Sequence, residues 1–129
     1  MGDNIQNIEE QLYPYGVDSI FYLDDKRLSF YQTLPYFNAI TKLIHEETPD
    51  IVLFGATSVG RDLAPRVASY LRCGLTADCT SLEIGDHTDN KSNTVYKDIL
   101  YQIRPAFGGN IIATIVSPET RPQMATVRE

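Results

Sequence analysis

The chemistry a newly met chain can do is read first from its loops, and here one loop stands out. Gly55-Ala56-Thr57-Ser58-Val59-Gly60 is built almost wholly of small residues and runs straight into Arg61. It follows an apolar run, Ile51-Val52-Leu53-Phe54, and precedes Leu63, Ala64, Val67, Ala68 and Leu71, which recur at helical spacing. A small-residue loop between a strand and a helix can cradle an anion, because free backbone N–H groups and the helix dipole face the ligand. The same residues can do something plainer, with Thr57 or Ser58 serving as the N-cap of a tight turn. The motif is neither G-x-G-x-x-G nor a P-loop, since Arg61 stands where the P-loop needs Lys. Arg61 and Asp62 fall near the helix start, where the dipole favours Asp and opposes Arg. An Arg placed against that preference hints at contact with a partner or ligand.

Other reactive side chains form no set. Cys73 and Cys79 are not a C-x-x-C pair, and no second pair completes a zinc site. They read as small packing residues, with a redox role as the alternative. His45 and His87 are far from both cysteines in sequence; His45 suits the last turn of a helix and His87 a solvated loop. Asp24 and Asp25 lack a partner cluster for a metal. No Ser/His/Asp or Cys/His arrangement carries a catalytic signature, so the chain reads as a non-enzyme.

The elements that must position the loop are read from periodicity. The spacing predicts a first helix capped by Asn4, with Ile5, Ile8 and Leu12 inward, ending at Pro14 and Gly16. Ser19 to Leu23 predicts a strand, and Asp24 to Arg27 a polar turn. Pro35 to Glu46 predicts a second helix with a stripe of Tyr36, Phe37, Ile40, Leu43 and Ile44, stopped by Thr48-Pro49. Ile51 to Phe54 predicts a strand buried on both faces, as in a parallel sheet. The helix after the loop starts near Asp62, or starts at Ser58 and accommodates Pro65 inside, and Gly74 closes it. Cys79 to Ile84 predicts a strand, 85–93 a polar loop or hairpin tip, and Ile99 to Ile103 a strand antiparallel to it. A second glycine loop, Arg104 to Asn110, leads into the strand Ile111 to Val116. Ser117 to Pro122 is a turn, and Gln123 to Val127 a last short strand.

Composition bounds the rest. The 129 residues suit one domain with a real core. Formal charge is −6, with 43% hydrophobic and 22% charged residues, as in an ordinary soluble protein. The acidic balance argues against nucleic-acid or anionic-membrane partners. No run is long enough to span a membrane, and Met1-Gly2-Asp3-Asn4 carries no secretory signal or myristoylation pattern. The cytoplasm is the default expectation.

Four stretches occur together in order: G-A-T-S-V-G-R-D-L-A-P-R-V-A (55–68), G-L-T-A-D-C-T (74–80), R-P-A-F-G-G-N (104–110) and R-P-Q-M-A-T-V-R (121–128). With these the chain resembles the N-terminal domain of electron transfer flavoprotein α subunits, including the nitrogen-fixation and acyl-CoA-dehydrogenase-associated relatives. The match runs over nearly the whole chain. The resemblance implies an α/β, three-layer fold: a mostly parallel sheet flanked by helices, Rossmann-like and similar to adenine nucleotide α-hydrolases. An antiparallel β-hairpin is expected in the second half. It also implies that 1–129 is a single truncated N-terminal domain, lacking the family's first strand and helix and its FAD-binding second domain.

The functional expectation rests on that resemblance. The intact family member is an electron carrier with FAD in the α subunit, paired with a β subunit. It passes electrons from flavin dehydrogenases of the acyl-CoA dehydrogenase type to a downstream acceptor oxidoreductase. This piece is expected to be scaffold and β-subunit interface, binding no FAD itself. Thr57, Arg61, Arg104 and Asn110 are the residues expected to face the partner or the flavin; a structural hydrogen bond is the alternative for each. Arg104 precedes Pro105 and a glycine loop, so its guanidinium is well placed for an anion or carboxylate. Self-association through an open strand edge is expected of a truncated sheet. The competing reading is a stand-alone domain binding AMP or ATP at the 55–60 loop. It lacks a P-loop Lys and a basic surface.

Overall fold

The computed structural model describes residues 1–106 and 111–128. Its centre is a three-stranded parallel sheet in the order β1-β6-β2, formed by β1 (Ile51–Gly55), β2 (Leu75–Cys79) and β6 (Gln123–Val127). A second, antiparallel sheet has the order β3-β4-β5, from β3 (Ser81–Asp89), β4 (Thr94–Ala106) and β5 (Ile111–Ile115). Two helices, α1 (Thr33–Glu47) and α2 (Ser58–Leu71), flank the parallel sheet. The fold is therefore α/β, with the antiparallel hairpin in the second half.

The core explains the layering. Ile44 of α1, Leu63, Val67 and Ala68 of α2 and Met124 of β6 form one buried cluster, against which Tyr36, Phe37, Ile40, Val52, Phe54, Leu71 and Leu75 pack. The helical spacing seen in the sequence thus faces one side of the sheet, and the alternate β1 positions Val52 and Phe54 meet it. The central strand of this sheet is the last in the sequence: β6 is hydrogen-bonded on both sides, and its first four residues are buried. The two sheets meet at Gln123, whose Oε1 accepts the Leu100 N–H of β4 at 2.9 Å.

Several expectations are corrected. Residues 4–12 do not form an α-helix; the stretch holds a 3-10 turn at Ile8–Gln11, and a second comes next at Tyr13–Tyr15. Asn4 and Asn7 sit at φ 54° and 66°, and the Asn4 N–H donates to Asp24 Oδ1. Left-handed backbone at both positions breaks the helical ladder. Ser19 to Leu23 forms no strand of either sheet; beside it a single bridge joins Gly2 and Asp24. Asp24 to Arg27 leads into a 3-10 turn, Lys26–Leu28, capped by Asp25, whose Oδ1 accepts from the Arg27 N–H at 2.8 Å.

β1 is not buried on both faces. It is an edge strand, and Leu53, pointing away from the helices, is 50% exposed. α2 starts at Ser58 and keeps Pro65 inside, the second of the two alternatives. It is Arg72, at φ 56°, and not Gly74, that closes α2. The Cys73 N–H donates to Ala68 O at 3.1 Å and the Arg72 N–H to Ser69 O at 3.3 Å, a Schellman pair of bonds. Gly74 serves instead as a close-approach point, since a Cβ there would lie 2.7 Å from Ser117 Oγ.

The predicted strand 79–84 divides at Thr80. Leu75–Cys79 joins the parallel sheet, while β3 runs on to Asp89, through most of the expected polar loop. β4 is likewise longer than 99–103 and pairs with β3 antiparallel, Leu82 opposite Gln102 and Ile84 opposite Leu100. Partner strands extend pairing through polar residues whose own pattern is silent, because the ladder uses backbone groups.

Candidate functional site

The carboxyl ends of β1 and β6 and the start of α2 enclose a cleft of about 340 Å³. Gly55, Ala56, Thr57, Arg61, Val127 and Arg128 line it. Ligands of open α/β sheets favour this location.

The loop is held by its own hydrogen bonds. Thr57 is the N-cap of α2, and its Oγ1 accepts the Gly60 N–H at 3.1 Å. The Arg61 N–H donates to Thr57 O at 2.9 Å, and the Ala56 N–H to Val127 O at 2.8 Å. A Cβ on Gly60 would fall 1.9 Å from Gly55 O, so the first and last residues of the loop touch through backbone. Small residues are needed because the helix start folds down onto the strand end. The Ala56, Gly60 and Arg61 N–H groups are thereby committed within the fold.

Charge at the rim is arranged around Asp78. Arg61 Nη2 lies 3.0 Å from Asp78 Oδ1, and Arg128 Nη2 donates to Asp78 Oδ2 at 3.4 Å. Asp78 Oδ1 is shielded from solvent and takes no well-aligned hydrogen bond, so the Arg61 contact is one of charge. Asp78 itself has φ 60°, and its N–H donates to Thr126 Oγ1 at 2.8 Å. This irregularity in β2 turns the carboxylate between the two guanidiniums. Both arginines are about half exposed, which keeps each pair's contribution to roughly 1 kcal/mol or less. Two guanidiniums on one carboxylate leave a surplus positive charge at the strand ends of an acidic chain.

The structure thus brings Thr57 and Arg61 together. Arg104 lies on β4 opposite Ala113 and does not line this cleft; its charge reaches the Cys79 thiol. Asn110, like the rest of the glycine loop 107–110, lies outside the described residues. Sequence reasoning missed Asp78 and Arg128. An Asp inside a β-forming stretch and an Arg directly after the last strand were the available signals.

The remaining reactive groups are quiet. Cys73 and Cys79 are free thiols. Burial pushes both up, away from the thiolate that redox chemistry uses. Among the described residues no cluster of His, Cys, Asp and Glu is arranged to hold a metal. No described helix is long and apolar enough to cross a membrane. Among the described residues, no aromatic side chain lines the 55–61 cleft.

The electron transfer flavoprotein domain model matches residues 1–129. This chain belongs to the electron transfer flavoprotein family. The chain is 47% identical over 128 residues to the electron transfer flavoprotein subunit alpha of Thermoanaerobacterium thermosaccharolyticum, covering 99% of this chain and 36% of that protein. It is 49% identical over 128 residues to the lactate dehydrogenase (NAD(+),ferredoxin) subunit LctC of Acetobacterium woodii, 99% of this chain and 28% of that one. It is 40% identical over 141 residues to the acryloyl-CoA reductase electron transfer subunit beta of Anaerotignum propionicum, 99% of this chain and 38% of that one. The chain spans about a third of the length of these relatives. Within the electron transfer flavoprotein family, the likeness is to α subunits, as the four sequence stretches imply.

Proposed function

We propose that this chain serves as scaffold and β-subunit interface within an electron transfer flavoprotein α subunit, with FAD held elsewhere in that subunit. The observation that carries the reading is the self-satisfied site at the strand ends. Its arginines turn onto Asp78, and Thr57 caps the Gly60 N–H. A surface of half-exposed arginines around one carboxylate suits a protein partner better than a buried cofactor. Thr57 and Arg61 are the residues we assign to the partner-facing rim, with Arg104 and Asn110 on the side of the second glycine loop.

The intact protein would pass electrons from a flavin dehydrogenase to a downstream acceptor, as an electron carrier and not as a catalyst. We assign the acyl-CoA dehydrogenase type as the donor. The relatives' names reach across lactate and acryloyl-CoA chemistry. The test is co-expression of the tagged chain with a family β subunit. Retention of the β subunit on the tag supports the reading, and loss of retention in Arg61→Glu with the fold intact puts the interface at the rim. A well-folded chain that never retains the β subunit overturns it.

A second reading has one observation in its favour: the cleft, with Arg61 and Arg128, stands where α/β sheets bind nucleotides. A stand-alone AMP or ATP site would show in a thermal-shift scan. A ligand at 100 times its dissociation constant stabilises by about 2.7 kcal/mol. No shift with AMP, ATP or FAD removes this reading.

A further inference from the structure

Two guanidiniums share one carboxylate at the strand ends, and the charges there do not balance. Asp78 meets Arg61 Nη2 through Oδ1 at 3.0 Å and Arg128 Nη2 through Oδ2 at 3.4 Å. Each contact uses one terminal nitrogen of a group that carries five N–H donors. Both arginines also line the cleft of about 340 Å³, with Gly55, Ala56, Thr57 and Val127 as its other walls. Among the described residues that lining holds no acidic side chain. The charge is set by α2, β2 and the residue after β6, whatever pairs with β1.

The loop decides which anion suits the rim. Thr57 Oγ1 accepts the Gly60 N–H at 3.1 Å, while the Ala56 and Arg61 N–H groups donate to Val127 O and Thr57 O. A phosphate seated on a helix N-terminus draws on such N–H groups, and these are committed. A planar carboxylate needs only the guanidinium forks. We propose, on the interface reading above, that the β subunit seats an aspartate or glutamate side chain between Arg61 and Arg128, on the donors that Asp78 leaves. Two carboxylates and two guanidiniums then alternate around a neutral set, and Gly55 and Ala56 leave room for the incoming side chain. Such a pair also fixes register, because a misplaced partner covers the cationic rim without neutralising it.

The test is the dissociation constant between the 129-residue chain and a family β subunit, measured over a range of salt. The parent is compared with Arg61→Gln, Arg128→Gln and Arg128→Lys, each checked for a cooperative thermal transition. Each Gln variant should bind at least about tenfold more weakly, with a shallower salt dependence than the parent. Arg128→Lys keeps the charge and loses the fork, so it should fall between. The β subunit's acidic residues are then replaced one at a time by their amides. One replacement should weaken binding to the parent and cost nothing further against Arg128→Gln, the mark of a direct pair. Firm binding that both Gln variants retain unchanged overturns the proposal and leaves the interface reading standing. A folded chain that binds no β subunit overturns both. Weakened binding with no β-subunit carboxylate coupled to either arginine also overturns the proposal, since the arginines would then act through the loop they hold. Should Arg61→Gln fail to fold, Arg128→Gln and the carboxylate scan decide.

Discussion

Arg61 Nη2 sits 3.0 Å from Asp78 Oδ1, joining the start of α2 to an irregular turn of β2 across the end of β6. That contact explains why an Arg stands where a helix dipole disfavours one. The carboxylate opposite offsets the dipole, and Arg128 approaches from the third element.

Replacing Asp78 tests the contact and its backbone together. Asp78→Asn keeps a residue type that tolerates φ near 60° but removes the charge, so it should cost about 1 kcal/mol. Asp78→Ala loses that tolerance as well and should cost about 1 kcal/mol more. Urea unfolding midpoints check both; equal costs would mean the left-handed backbone contributes nothing.

Gly60→Ala should be far worse. The new Cβ would meet backbone, Gly55 O at 1.9 Å, and cannot be relieved by a side-chain turn. A loss of about 3 kcal/mol or more is expected, read as a collapse of the thermal midpoint or absence of soluble protein. Gly74→Ala offers the contrast. Its clash is with the Ser117 hydroxyl at 2.7 Å, so pairing it with Ser117→Ala should recover most of the lost stability in a double-mutant cycle.

How much of this was legible in the sequence depended on whether an element's own residues decide it. α1, β1 and α2 were readable because Ile40, Ile44, Leu63 and Val67 repeat at helical spacing, and Ile51 to Phe54 are uniform β-formers. β2 was missed because Leu75–Cys79 includes Asp78, a poor strand former that tertiary contacts with Arg61 and Arg128 hold in place. The reach of β3 and β4 through 85–89 and 94–98 was invisible for a related reason. Pairing there is fixed by the partner's backbone, and Asp86 and Lys97 join across the hairpin. At the candidate site, Thr57 and Arg61 were legible from the loop, whereas Asp78 and Arg128 required knowing that β6 inserts between β1 and β2.

Stability should fall in acid through Asp62. Its carboxylate accepts from Tyr31 Oη at 2.6 Å, Thr33 Oγ1 at 2.9 Å and Arg66 Nη2 at 3.1 Å, tying α2 to α1 and the segment before it. The Tyr31 hydrogen bond, then Arg66 and Thr33, hold the carboxyl below its ordinary 3.8. A lowered value means the contribution is full above that ordinary value and is lost as pH falls through the folded one. Tyr31 runs the other way. Burial and the bond to Asp62 raise its hydroxyl above 10.0, so that contribution is full below the ordinary value and lost as pH rises through the folded one. Tyr31→Phe should therefore be less stable than the parent at neutral pH, with the gap closing in strong acid. Unfolding curves from neutral pH downward check this, and a gap that stays constant contradicts it.

The central claim is that this chain is the scaffold and interface part of an electron transfer flavoprotein α subunit, with the flavin held elsewhere in that subunit. The most direct test is the visible absorption spectrum of the purified chain after incubation with FAD and removal of free flavin. The account predicts a colourless protein. A retained flavin band would contradict it, and would turn the 55–61 cleft, with Thr57, Arg61 and Arg128, into a cofactor site.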